Sequence, residues 1–353
     1  TISSNGYTHK KRSCSMKYFK YSFIITFFIL CFIIYHGYNQ GGISLSLNML
    51  WLTIILILME VSLSFDNAIV NASILKHWND FWKRMFLTIG MLVAVFGMRL
   101  LFPLLIVAFT ANLSIFEVWS LALNNPQEYS QKLISHHIEV SAFGSMFLLL
   151  VFLNFLFDEE RELFWIGKFE QKLSTIGKTK FSAYITSILF LYLFSFLLED
   201  SEKMVFFTAG TWGILVYLSI HLLCYFLENR AKNVGNIIKT GSIGGFIYLE
   251  VLDASFSFDG VIGAFAITKD IIIIMVGLGV GALFVRSITI YLVEKETLNE
   301  YVFLEHGAHY AIGILAFIML LNIKFHIPEA ITGLIGIVFI LLSLYSSIKY
   351  NRR

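Results

Sequence analysis

Charge is the scarcest property of this chain. Asp, Glu, Lys and Arg make up 14% of its 353 residues while 57% are hydrophobic, a balance that excludes an ordinary soluble globule and predicts an all-α, polytopic membrane protein in a lipid bilayer. Cysteine is also rare. Cys14, Cys31 and Cys224 are scattered with no C-x-x-C pair, so neither a disulfide framework nor a thiolate zinc site is indicated. Enzyme signatures are missing too. There is no Gly-x-Ser-x-Gly elbow, and His306-Gly-Ala-His309 has the wrong spacing and no glutamate for a zinc protease helix. Gly177-Lys178-Thr179 imitates the end of a phosphate-binding loop, but Lys172 stands where that loop needs its first glycine. No enzyme, organic cofactor or nucleic-acid partner is expected.

What the chain has in excess is long apolar runs. Ten are candidates to cross about 30 Å of hydrocarbon: 19–38, 45–75, 84–110, 137–157, 181–198, 204–227, 242–268, 270–293, 306–323 and 326–348. Met16, followed by Lys17, Lys20 and the first run, resembles the start of a signal peptide. No small-x-small cleavage site follows Tyr35, however, so that run is expected to be a retained helix. With the N-terminus inside, twenty of the 26 Lys and Arg fall in inner segments and four outside, while Arg99 and Arg286 lie within apolar runs. Cytoplasmic loops carry such an excess, which places both termini in the cytoplasm.

Two short stretches inside these runs say nearly the same thing. Glu60 to Asn67 reads E-V-S-L-S-F-D-N, and Asp253 to Gly260 reads D-A-S-F-S-F-D-G, with Glu250 one turn before the second. An ionised carboxylate facing lipid costs roughly 2.5 to 3.5 kcal/mol on insertion scales. Glu60, Asp66, Glu250, Asp253 and Asp259 are therefore expected to face each other, water or a cation. In the ten-helix topology the two copies run in opposite directions. Each is followed by a helix bearing Arg99 or Arg286, then by one opening on histidine and acid: His136, His137 and Glu139, or Glu305, His306 and His309. The chain thus divides into a basic N-terminus and extra helix (1–44), a three-helix repeat (45–157), a linker with two spacer helices (158–241), an inverted three-helix repeat (242–323), and a final helix with a basic C-terminus (324–353). Inverted repeats meeting near the midplane are how many secondary transporters build their sites.

On a helix, Glu60, Ser64, Asn67 and Asn71 share one face, and Glu250, Asp253 and Ser257 share another. Asp66 and Asp259 lie off those stripes, so a break near each Ser-Phe-Asp is expected to bring them round. Five acids against two arginines leave an excess of three negative charges when all ionise, which favours a divalent cation over an anion. Carboxylate, amide, hydroxyl and carbonyl oxygens suit Mn²⁺, Mg²⁺ or Ca²⁺. Gly277, Gly279 and Gly281 favour close helix contact. The loop 158–180 reads as a solvated interfacial linker, and His221 as a lone histidine on an apolar run.

The paired motifs, E-V-S-L-S-F-D-N-A and D-A-S-F-S-F-D-G-V-I-G-A-F-A-I-T, with an arginine-bearing helix after each, resemble the TerC/Alx family of bacterial integral membrane proteins over 45–323. E-V-L-D-A-S-F-S-F-D-G resembles its larger branch, often left as a domain of unknown function. The resemblance implies a bacterial inner-membrane location and manganese efflux or metal homeostasis, with tellurium resistance as the historical label. It implies Glu60, Asp66, Asn67, Asp253 and Asp259 as metal-site residues, to which the acid count adds Glu250. Gly260 replaces the asparagine of the first copy, leaving the site asymmetric. The expected function is export of a divalent cation, Mn²⁺ above all, against H⁺ or Na⁺. The alternative is a non-transporting scaffold that helps other proteins acquire metal.

Overall fold

The computed structural model describes residues 7–111, 113–159, 161–178, 181–227, 241–295, 300–325 and 327–352; within them some side chains, those of 7–17, Phe258 and Asp259 included, lie outside the description. Every regular element among the described residues is helical. Six helical stretches are long and apolar enough to cross a membrane: Tyr18–Leu63, His137–Leu156, Asp200–Leu223, Ile271–Glu294, Leu304–Asn322 and Leu334–Asn351.

The first of these is a hairpin. Tyr7–Leu63 is helical throughout except at Gly41 (φ −158°, ψ 20°) and Gly42 (φ 75°, ψ −163°). The Ser46 hydroxyl reaches the Ile34 carbonyl at 2.9 Å, and a Cβ placed on Gly37 would lie 2.7 Å from the Ser46 Cα. Nine residues of straight helix would hold those positions about 13.5 Å apart. The chain therefore reverses at the glycine pair, giving α1 (7–40) and α2 (43–63), which correspond to the first two apolar runs. Gly42 occupies a region of backbone space open almost only to glycine.

The next elements are α3 (Phe65–Leu75) and α4, a helical stretch over 80–111 that widens into π-helix at Phe86–Gly90 and Val93–Leu101. Short α5 (Ile115–Asn124) and α6 (Pro126–Ile134) follow, with Ser114 and Glu117 forming a reciprocal capping box at the start of α5. Then come α7 (His137–Leu156), α8 (Lys168–Ser174), α9 (Ser182–Ser195) and α10 (Asp200–Leu227). The last four are α11 (Ile243–Ile267), α12 (Ile271–Glu294), α13 (Leu304–Asn322) and α14 (Glu329–Asn351). Side chains start the two central helices: Ser242 accepts the Gly245 N–H, and Asp270 accepts those of Ile272 and Ile273.

The first hairpin wraps α12. Ser22 bonds Ser287 at 2.7 Å, and the Phe23 and Tyr18 rings meet those of Phe284 and Tyr291, so α1 runs antiparallel to α12. In the other arm Leu56 meets Gly277 and Glu60 meets Gly281, each side chain 2.5 Å from where a Cβ would stand, so α2 runs parallel to it. The glycine seam expected on α12 is thus real at Gly277 and Gly281, where any side chain would separate the helices.

Two apolar clusters make the core. One gathers Leu75 of α3, Phe147 of α7, Tyr217 of α10 and Ile312 of α13. The other gathers Leu56, Val107 of α4, Val118, Tyr129 and Leu278. Helix α11 serves both, giving Leu249, Leu252 and Phe256 to the first and Val261, Ala264 and Phe265 to the second. Its polar residues lie at that junction.

One run is shorter than expected, and one expectation needs correction. The run 181–198 yields a helix of only 14 residues, about 21 Å long, which falls short of the hydrocarbon thickness. The loop 158–178 is not merely solvated. Glu170 within it is fully buried, accepting the Trp165 N–H at 2.7 Å and the Tyr310 hydroxyl of α13 at 2.6 Å. Leu163 offers its carbonyl to His306 at 3.0 Å. A buried carboxylate needs such donors, and nothing in the local sequence announces that Tyr310 supplies one.

Substitution tests the hairpin. Gly42→Ala is expected to destabilise by about 1–3 kcal/mol through backbone strain, and Gly37→Val to lower the melting temperature further by prising α1 from α2. Thermal unfolding in detergent measures both; a Gly42→Ala protein as stable as the parent would contradict the reversal.

A split polar core as the candidate functional site

The first Ser-Phe-Asp motif sits at a break. Helix α2 ends at Leu63, Ser64 (φ −103°, ψ 13°) interrupts it, and α3 starts at Phe65. The second motif does not break, because α11 is continuous from Ile243 to Ile267. The expected pair of breaks is therefore one. Asp259 lies in this unbroken helix, with its side chain outside the described residues.

The two motif helices run antiparallel, as their contacts show. Glu60 faces Gly260, its Oε2 standing 3.1 Å from where a Cβ would be. Seven residues along, Asn67 donates to Asp253 Oδ1 at 2.7 Å, and Asn71 donates to the same oxygen at 2.8 Å. Glu60 and Asp253 open their motifs while Asn67 and Gly260 close them, so the opening of each copy meets the close of the other. Gly260 gains a reason: a larger residue would press on the Glu60 carboxylate.

Each arginine comes to the acids of its own half. Arg99 forms a buried ion pair with Glu60 Oε1, which also accepts the Ser64 hydroxyl at 2.7 Å. The same guanidinium donates to the Ala94 carbonyl at 2.6 Å, five residues back in the π-helical segment. Arg286 is buried with Glu250 and Asp253 nearby, its guanidinium carbon 4.0 Å from the centre of the Phe86 ring. Gly90, one turn beyond Phe86, lets Glu250 and Arg286 crowd the backbone, since a Cβ there would meet Glu250 Oε1 and lie 3.4 Å from Arg286 Nη2.

Several buried polar atoms have no hydrogen-bond partner among the described residues: Asn67 Oδ1, Asn71 Oδ1, Ser257 Oγ, both Glu250 oxygens and Arg286 Nη2. Leaving such atoms unpaired in a low-dielectric interior is costly. Asn67, Asn71, Asp253 and Ser257, together with Ser64, Arg99, Arg286 and Thr289, line a cavity. Among the described residues no three His, Cys, Asp or Glu side chains converge into a metal cage.

Asp66 belongs elsewhere. Its Oδ1 accepts the Asn67 N–H at 3.0 Å, and the side chain lines a second cavity with Ser62, His137, Asn322, Thr332 and Gly336. Phe256 borders both cavities. The predicted six therefore divide: Glu60 pairs with Arg99, Asn67 with Asp253, Glu250 lies near Arg286, Asp66 lines the other cavity, and the Asp259 side chain is outside the description. Thr289 and Thr332 went unnoticed in the sequence; Thr289, three residues after Arg286, shares its helix face, the signal that could have found it.

The histidines take other partners. His136 meets Glu139 at 2.9 Å and His137 meets Ser141 at 3.1 Å. His309 stacks on Phe155 at 3.9 Å, and His221 on Tyr217 at 4.4 Å.

A helical membrane protein with a charged, partly unsatisfied core is thus defined. Residues 65–353 match the family described as protein of unknown function DUF475, and the chain belongs to that family. No curated protein and no solved structure matches the chain.

The buried ion pair makes a clear expectation. Glu60→Gln leaves Arg99 uncompensated and should destabilise by about 3–5 kcal/mol, whereas Glu60→Leu with Arg99→Leu should recover most of that loss. Equal melting temperatures for Glu60→Gln and the parent would show that the pair does not hold the fold.

Proposed function

We propose that the protein is a secondary transporter for a hard divalent cation, Mn²⁺ before others, which crosses the bilayer by way of the Asp253 cavity. The observation that carries this reading is the set of unpartnered buried oxygens, Asn67 Oδ1, Asn71 Oδ1 and Ser257 Oγ, gathered around the Asp253 carboxylate. Oxygen ligands of mixed charge suit Mn²⁺, Mg²⁺ or Ca²⁺, and the resemblance to TerC/Alx proteins favours Mn²⁺ among them. A cage built only of acids would hold the ion too tightly to release it; one carboxylate with neutral amides and a hydroxyl is a weaker and more suitable host.

The head-to-tail meeting of the two motifs supports an inverted-repeat architecture, 45–157 against 242–323, with ten crossings of a bacterial inner membrane and both termini in the cytoplasm. In this reading the short 181–198 helix crosses with its flanking turns by local thinning of the bilayer. The ion pair of Arg99 with Glu60 sets the position of the broken turn, and Arg286 balances Glu250. The runner-up, a scaffold that loads metal into other proteins, shares the site but moves no ion.

Purified protein in vesicles separates the two. Asp253→Asn is expected to lower Mn²⁺ affinity at least tenfold by titration calorimetry and to abolish Mn²⁺ flux, and Asp66→Asn and Asp259→Asn to remove the manganese tolerance of expressing cells. Tight Mn²⁺ binding without flux in the parent would favour the scaffold. Unchanged binding in Asp253→Asn would reject the site.

A further inference from the structure

The Asp66 cavity differs in kind from its neighbour. No Lys or Arg is among its lining residues, whereas Arg99 and Arg286 both line the Asp253 cavity. Asp66 is only 6% exposed, and no described residue forms an ion pair with it. A single buried carboxylate thus faces an open volume with no Lys or Arg, and His137 is the other ionisable residue of its lining; membranes do not tolerate such a carboxylate, when ionised, unless something supplies the charge.

The remaining lining is neutral and rich in oxygen. Ser62 and Thr332 bring hydroxyls, and residues 62, 63, 65 and 66, on either side of the break at Ser64, border the cavity. The last carbonyls of a helix lack intrahelical donors; here Glu60 still receives the Ser64 N–H at 3.0 Å, and of the three residues after it Ser62 and Leu63 border the cavity. Unwound carbonyls beside one carboxylate are a known setting for an alkali cation in transporters. Gly336 of α14 keeps the far wall clear, a Cβ there standing 3.8 Å from Asp66 Oδ2. The cavity also reaches one end of the helix bundle: His137 starts α7, Asn322 ends α13 and Thr332 lies near the start of α14.

We propose that this cavity is the site of a coupled monovalent cation, Na⁺, held by Asp66, the hydroxyls of Ser62 and Thr332 and the carbonyls of the broken turn, and separated from the divalent site by Phe256. The inference rests on the transporter reading given above. Charge supports it independently: five acids and two arginines carry an excess of three when ionised, which one divalent and one monovalent cation together neutralise.

The test is binding of ²²Na⁺ to the purified full-length protein, run beside Mn²⁺ titration of the same samples. Saturable ²²Na⁺ binding is expected in the parent, retained in Asp253→Asn and reduced at least tenfold in Asp66→Asn. Thr332→Val, which keeps the carboxylate, should weaken it several-fold and leave Mn²⁺ affinity unchanged, so the proposal stays testable if Asp66→Asn does not fold. A folded parent that binds no ²²Na⁺ overturns the proposal, as does ²²Na⁺ binding lost in Asp253→Asn but kept in Asp66→Asn. Mn²⁺ binding that survives Asp253→Asn would instead refute the divalent site and leave the ²²Na⁺ result standing on its own.

Discussion

Carboxylates buried in a hydrocarbon slab must find positive charge or hydrogen-bond donors, and most of this fold follows from how that demand is met. Glu60 takes an arginine from the next helix and a serine one turn along its own face. Asp253 takes two asparagine amides from the opposing helix. These bonds tie α2, α3, α4 and α11 together at a depth where packing alone gives little preference between helix partners. The glycines of α12 complete the arrangement by letting α2 come close enough for Glu60 to reach inward.

Irregular backbone is placed where it serves those charges. Around the break at Ser64 one short segment borders two different cavities, Ser64 and Asn67 lining one and Asp66 the other. The π-helical segments of α4 do similar work on the other side, bringing Arg99 over a carbonyl five residues back and setting Phe86 beneath Arg286. Straight helices would present one stripe to one partner. Interrupting them lets a four-residue stretch meet neighbours in opposite directions.

Much of the helical content was legible, since apolar runs and polar stripes on them are local properties of sequence. The stripes Glu60–Ser64–Asn67–Asn71 and Asp253–Ser257 were readable from spacing, and the structure brings both to one seam. The reversal at Gly41–Gly42 was legible as a gap between runs. Spacing also put Asp66 off the stripe, since adjacent residues of one helix point about 100° apart; what it could not show was that the break at Ser64, which precedes both Asp66 and Asn67, leaves Asp66 there. Nor could it show that Glu170 is buried, since its partner Tyr310 lies 140 residues away. Long-range pairing is set by topology, which a single helical periodicity does not encode.

The docked loop has a mechanical consequence. By anchoring on Tyr310 and His306 it fastens the far end of α7 to the beginning of α13, so those two helices share a crossbrace at one membrane face. The two apolar clusters meet where α11 carries its polar residues, and a polar join offers less cohesion than the greasy interiors beside it. Shear between two stiff blocks would therefore concentrate along that join, leaving the braced block to move as a single piece.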